Sequence, residues 1–182
     1  MQYLFIAAEL SENVNKLYLK DSEADPADFR FQLKCTNCGE DAEKVVTFDA
    51  HEKQELPGGK GEASFVMKCK FCESSNSIVA NLFEEGLFSQ QAENGDSSKR
   101  KKAGLNGNKI DINDWAAILQ LDCRGWEITK FEFDQSPFAV DLVAGNTMDV
   151  EFDEDGTWYD YDDAAGEEVS IIDFKYKIVK AK

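Results

Sequence analysis

Histidine occurs once in 182 residues, as His51, and proline only three times. A single imidazole leaves no second histidine to activate a nucleophile, and neither a P-loop nor a Rossmann glycine pattern is present. No stretch of ~18 apolar residues occurs, so no segment is expected to span a bilayer as a helix. The opening "MQYLFIAAEL" is apolar, but no basic residue precedes the run and Glu9 interrupts it, which argues against a targeting signal. Basic residues are scarce as well: 20 Lys and Arg stand against 36 Asp and Glu, for a net charge of −16. Such a surface repels duplex nucleic acid and anionic membranes, so neither is an expected partner. The plainest consequence of the charge is solubility. No long segment shows a 3.6-residue apolar period, which leaves little room for amphipathic helices.

What is present is a series of short apolar segments bounded by turn residues. They include "YLFIAAEL" (3–10), "FRFQLKC" (29–35), "KVVTFD" (44–49), "ASFVMKC" (63–69) and "SIVANLF" (77–83). Farther on come "AAILQLDC" (116–123), "ITKFEFD" (128–134), "TMDVEFD" (147–153) and "VSIIDFKYKIV" (169–179). Regular short strands of this kind predict an all-β fold, a barrel or a sandwich, with 13 Phe supplying bulky core material. The length suits a single domain over 1–182 or two small halves packed into one body. The segment 84–114 is rich in Gly, Asn, Ser and charge and reads as a flexible connection between a first half, 1–83, and a second, 115–182. Within it, Lys99, Arg100, Lys101 and Lys102 form a basic run. The sharper reading is a nuclear import or polyanion-docking signal; the plainer one, which short surface runs favour, is a solvated loop tip. "FQLKC" (31–35) matches "LQLDC" (119–123), and "TFD" (47–49) matches "EFD" (132–134), which suggests an old duplication.

Five cysteines is an odd number, and four of them form two close pairs, which points to a reducing compartment and free thiols rather than a secreted disulfide scaffold. Cys35 and Cys38 form the first pair; after 30 intervening residues Cys69 and Cys72 form the second. Each pair ends a predicted strand. Two tight Cys-x-x-Cys turns facing each other make a tetrahedral four-sulfur site, the geometry Zn²⁺ prefers. Gly39 follows the first pair, where positive φ is often needed; Glu73 stands in the matching place after the second, so a less regular turn is expected there. Lys34, Lys68 and Lys70 flank the cysteines and are placed to offset the charge of four thiolates around one divalent ion. Redox chemistry fits less well, because neither pair opens a helix that would lower a thiol pKa. An iron–sulfur cluster or another soft metal stays open. Four cysteines close the coordination sphere, so the zinc is expected to be structural, and His51, in a polar loop, is expected to be solvated rather than a ligand.

Cys123, in "LDCRGWE", takes the place of Cys35 in the internal match without its partners; burial as a small core residue is the plain expectation, a reactive thiol beside Arg124 the sharper one. "WYDYDD" (158–163) reads as an acidic, aromatic recognition surface or a weak calcium loop, with a turn holding a packed Trp158 as the default.

Taken in order, "KCTNCGE", "LPGGKGEASFVMKCKFC", "LDCRGWEITKFEFD" and "WYDYDDAAGEEVSI" resemble the motifs of the eukaryotic CXXC-motif-containing zinc-binding proteins, over Leu4 to Val179 apart from 84–110. The resemblance implies an all-β fold of two pseudo-symmetric halves, each a small split β-barrel, and one zinc held by Cys35, Cys38, Cys69 and Cys72. It supplies no established catalytic activity. The functional expectation is therefore a non-catalytic, zinc-stabilised protein-interaction module with a protein partner. The alternatives are metal handling or sensing and, behind it, an enzyme using Cys123. The chain is expected to be a cytoplasmic monomer, with the basic run as the feature that would send it to the nucleus.

Overall fold

The computed structural model describes residues 1–90, 93–106 and 110–181. Eight strands come first: β1 (Gln2–Leu10), β2 (Val14–Leu19), β3 (Phe29–Cys35), β4 (Val46–Phe48), β5 (Gln54–Glu55), β6 (Glu62–Ala63), β7 (Phe65–Lys68) and β8 (Ser75–Leu82). A short strand β9 (Leu87–Phe88) and a helix α1 (Ser97–Lys102) follow. Then come β10 (Ala116–Arg124), β11 (Trp126–Phe131), β12 (Phe138–Leu142), β13 (Thr147–Val150), β14 (Trp158–Asp162) and β15 (Glu167–Lys180). The fold is all-β, as the segment pattern predicts. Among the described residues no helix is long and apolar enough to cross a membrane.

Period-two patterning accounts for the strands that present one face to the core. In β3, Phe29, Phe31, Leu33 and Cys35 are buried while Gln32 and Lys34 are exposed. Rings from both ends of the sequence form one continuous cluster. Phe31 lies 5.6 Å from Phe48 and 5.3 Å from Phe131, and Phe138 lies 5.5 Å from Phe152 and 5.3 Å from Phe174. Each fully buried Phe contributes on the order of 1.5–3 kcal/mol.

The strands of the two halves interlock. The six-stranded sheet runs β14-β15-β1-β10-β8-β7, a three-stranded sheet runs β11-β3-β4, and a four-stranded sheet runs β13-β12-β2-β9, so each contains strands from both ends of the chain. The match of 31–35 to 119–123 is not repeated in the pairing: β3 turns back to pair with β4, whereas β10 bends at Gly125 and continues as β11 in another sheet.

β1 lies between β10 and β15 and is buried on both faces, which explains its continuous apolar run. Leu4 and Ile6 face the main core; Tyr3, Phe5 and Ala7 face a second cluster completed by Leu105, Trp115 and Ala117. The segment 84–114, expected as a flexible connection, supplies part of that second cover (91–92 and 107–109 lie outside the described residues). Its anchor is a buried ion pair. Arg100 donates from Nε and Nη2 to Glu84 at 2.9 Å each, its Nη2 also bonds the Trp115 carbonyl, and its guanidinium lies 5.1 Å from the Phe5 ring centre. Glu84 also accepts from the N–H of Ala117 at 2.6 Å. The basic run is thus a helix with one buried member: Arg100 is 6% exposed. The solvated-tip reading holds for Lys101 and Lys102, which are exposed, and not for Arg100.

Removing one partner of a buried charge pair leaves the other uncompensated, which costs about 3–5 kcal/mol. Arg100→Ala should lose stability of about that size in urea unfolding, while Lys101→Ala and Lys102→Ala should stay within about 0.5 kcal/mol of the parent.

Candidate metal centre

Both Cys-x-x-Cys segments sit at hairpin tips. The first closes beyond β3, where Lys34 bridges Asp41 and the N–H of Ala42 donates to the Leu33 carbonyl at 2.8 Å. The second joins β7 to β8, whose last pair is Lys68 with Ser75. The two turns are built alike. The N–H of Cys35 donates to the carbonyl of Glu40 and that of Gly39 to the carbonyl of Cys35, at 2.8 and 2.9 Å. The N–H of Cys69 donates to the carbonyl of Ser74 and that of Glu73 to the carbonyl of Cys69, both at 2.9 Å. Gly39 has φ +78° and Glu73 φ +61°. The expected irregularity at the second turn is therefore corrected: Glu73 adopts the same left-handed backbone, which costs a non-glycine residue about 1–2 kcal/mol.

The turns bring Cys35, Cys38, Cys69 and Cys72 together, with all four sulfurs within 4.8 Å of one another. The Sγ atoms of Cys35 and Cys72 are 3.7 Å apart, as are those of Cys38 and Cys69. A tetrahedron with Zn–S near ~2.3 Å has edges of about 3.8 Å, so the spacing fits a single Zn²⁺ at the centre. An iron–sulfur cluster would hold the sulfurs around several metal atoms, farther apart. Cys35 and Cys69 are buried, Cys72 is half-buried and Cys38 is exposed, so the cluster has an inner and an outer side.

Polar hydrogens surround the sulfurs. Asn37 Nδ2 donates to Cys72 at 3.3 Å, Asn76 Nδ2 to Cys35 at 3.6 Å, and the Ser74 hydroxyl lies 3.1 Å from Cys72 and 3.7 Å from Cys35. The backbone N–H groups of Cys38 and Asn37 point at the Cys35 sulfur and lower its pKa. The Asn37 amide, followed by the Ser74 side chain and N–H, holds the Cys72 thiol down at about 6. At Cys38 the Glu40 N–H pulls in the same direction, but desolvation and the neighbouring Cys69, Cys35 and Cys72 outweigh it and push the thiol up to about 12. Donors to sulfur of this kind disperse the negative charge of a thiolate–metal centre. The flanking lysines contribute less directly than expected: Lys70 ion-pairs with Glu43, and both are exposed.

A further support comes from the second half of the chain. Gly125, φ +80°, marks the corner where β10 leaves the six-stranded sheet and β11 joins the three-stranded one. Its carbonyl accepts from the Thr36 N–H at 3.0 Å, inside the first cysteine turn. A Cβ on Gly125 would lie 2.0 Å from the Asn76 side-chain oxygen, so any other residue would displace the amide that reaches Cys35. Next to it, Trp126 pairs with Cys35 across the ladder. Asn37, Ser74, Asn76 and Gly125 all serve the cluster without being ligands.

The remaining candidates lie elsewhere. Cys123, on β10 opposite Ile78, is half-buried, and desolvation pushes its thiol up to about 12, so it is protonated at neutral pH and poorly suited to be a nucleophile. His51 is no ligand of the cluster; its Nε2 lies 2.8 Å from the buried Oδ2 of Asp21, so it is half-buried and paired rather than solvated. "WYDYDD" forms strand β14 rather than a turn or a calcium loop: Trp158 is buried, Tyr159 and Tyr161 are exposed, and Asp162 is buried and accepts from Asn146 at 2.9 Å.

An interlocked all-β body with two facing cysteine turns at a sheet corner defines a four-cysteine metal-site protein. The family model "CXXC motif containing zinc binding protein, eukaryotic" matches residues 3–179, and the chain belongs to that family. It is 40% identical to the UPF0587 protein YCR090C of Saccharomyces cerevisiae, over 99% of this chain and 98% of that one. It is 34% identical to the CXXC motif containing zinc binding protein of Mus musculus, over 84% and 85%. Among solved structures it is similar to that described as "Crystal Structure of C1orf123", with TM-score 0.73 and 28% identity over 99% of both chains. One four-cysteine cluster in a zinc-binding family agrees with a cofactor of one Zn²⁺ per chain.

Zinc binding must displace the proton held on Cys38, whereas Cys72 is largely a thiolate at pH 7 already. Zinc affinity should therefore rise with pH, by about tenfold or more per unit around pH 7, and more steeply below about pH 6, where Cys72 also takes up a proton. Chelator competition at several pH values measures the slope; an affinity independent of pH would contradict this assignment of protons.

Proposed function

We propose that the protein is a non-catalytic interaction module in which Cys35, Cys38, Cys69 and Cys72 hold one structural zinc. The zinc keeps the sheet corner in place, and the outer face of β14 meets a protein partner. The observation that carries this reading is the exposure of two large aromatic side chains on that strand: Tyr159 is 72% and Tyr161 50% accessible. Tyrosines presented in this way are the kind of residue that anchors protein interfaces. A non-catalytic role draws support from Cys123, whose thiol is pushed up to about 12 by desolvation. Free thiols suit a reducing, cytoplasmic setting, and a net charge of −16 favours a monomer and disfavours nucleic acid.

The test leaves Trp158 and Asp162 in place, because both are buried. Affinity capture with the zinc-loaded chain and a Tyr159→Ala, Asp160→Ala, Tyr161→Ala triple variant should lose partners while the unfolding midpoint stays unchanged. Identical partners for both proteins would discard this surface.

A second reading, metal handling, draws on the exposed position of Cys38, through which an outside ligand could reach the ion. It differs from the first in requiring the zinc to leave without unfolding.

A further inference from the structure

β14 is the outer strand of the six-stranded sheet and, among the described residues, pairs only with β15. The direction of its backbone groups follows from the ladder. Ser170, opposite Tyr159, spends its N–H and carbonyl on Ser11, beyond the other edge of β15, at 3.1 and 3.0 Å. In an antiparallel pair the two opposed residues face the same way, both toward each other or both away. Tyr159, and Tyr161 two residues on, therefore turn their backbone groups toward solvent. The Tyr161 N–H confirms this, since it donates to the Asp160 side chain at 2.7 Å rather than to β15. The edge is thus open at the two exposed tyrosines and guarded by the Asp160 carboxylate, a charge of the kind that keeps an edge strand from pairing at random.

The charge around this edge has one sign. From Asp149 to Asp173 the chain carries eleven carboxylates and no Lys or Arg. Among the described residues only Asp149 and Asp173 of this run form ion pairs, with Lys20 and Lys175. Glu168, exposed, lies directly opposite Tyr161 and so shares its face of the sheet.

We propose that the β14 edge accepts an extended peptide bearing Lys or Arg at alternate positions, added as a further strand. This rests on the reading that the surface contacts a protein, and gives the partner's chemistry. The peptide backbone pairs with Tyr159 and Tyr161. Its carbonyl takes over the Tyr161 N–H and releases the Asp160 carboxylate, which stays part of the negative field along the edge. Side chains two apart fall on the tyrosine face, where a cation meets the rings of Tyr159 and Tyr161 and the carboxylate of Glu168. An acidic or neutral strand would gain the same backbone bonds but would add to, or leave unmatched, the negative field.

The test uses the zinc-loaded full chain and a fluorescent peptide of about eight residues alternating Lys and Thr. Controls are the same peptide with Glu for Lys, and the Lys peptide with alternate backbone nitrogens methylated so that charge is kept and ladder bonds are lost. The Lys–Thr peptide should bind and slow amide hydrogen exchange at Tyr159 and Tyr161. The methylated peptide should bind about tenfold more weakly or worse, and the Glu peptide should not bind. Equal binding of the methylated and unmethylated peptides would overturn strand addition and leave an attraction of charge alone. No binding of the Lys–Thr peptide would overturn the proposal too. If partner capture still depended on Tyr159 and Tyr161 in either case, the interaction reading would stand without this partner chemistry.

Discussion

Four sulfurs within 4.8 Å of one another are stable together only around a cation or with protons shared among them. The structure is arranged to favour the cation. The two turns that carry the sulfurs belong to different sheets: β3 leads into one, and β7 and β8 flank the other. An ion held by both ties the sheets at the corner where β10 becomes β11. Binding free energy at a site that does not exist in the unfolded chain is folding free energy, on the order of 10–16 kcal/mol in small zinc domains. That exceeds any single contact elsewhere in the core. The four-sulfur corner is the point at which the β3 turn and the β7–β8 turn are brought against each other.

Around it, each half of the sequence serves the other. Gly125 and Trp126, far from the cysteines in sequence, close the first turn through Thr36 and Cys35. The helix carrying the basic run is held by Glu84 and covers the far face of β1, which lets that strand be apolar on both sides. The opposite margin of the six-stranded sheet, β14, has no such cover. The same sheet thus has one margin fixed by metal and another open to solvent, and the functional reading places the partner at the open one.

How far this could be read in advance varies with the kind of signal. β3 and β15 were visible because their apolar residues fall on a strand period between turn residues. β2 and β12 were missed: "VNKLYL" and "FAVDL" are short, and they pair with each other across more than a hundred residues. The four cysteines were legible because their spacing has few structural uses. Asn37, Ser74 and Asn76 were not, since an amide or hydroxyl becomes a sulfur donor only once the turn aims it. Arg100 is the sharpest failure of local reading. Four basic residues in a row look alike in sequence, and only the carboxylate of Glu84, 16 residues away, selects the one that is buried.

X-ray absorption at the zinc edge of the purified, reduced protein measures the ligand type and distance together. One zinc with four sulfur neighbours at about 2.3 Å is the predicted result. Nitrogen or oxygen in the first shell, or protein that carries no zinc after purification under reducing conditions, would contradict it.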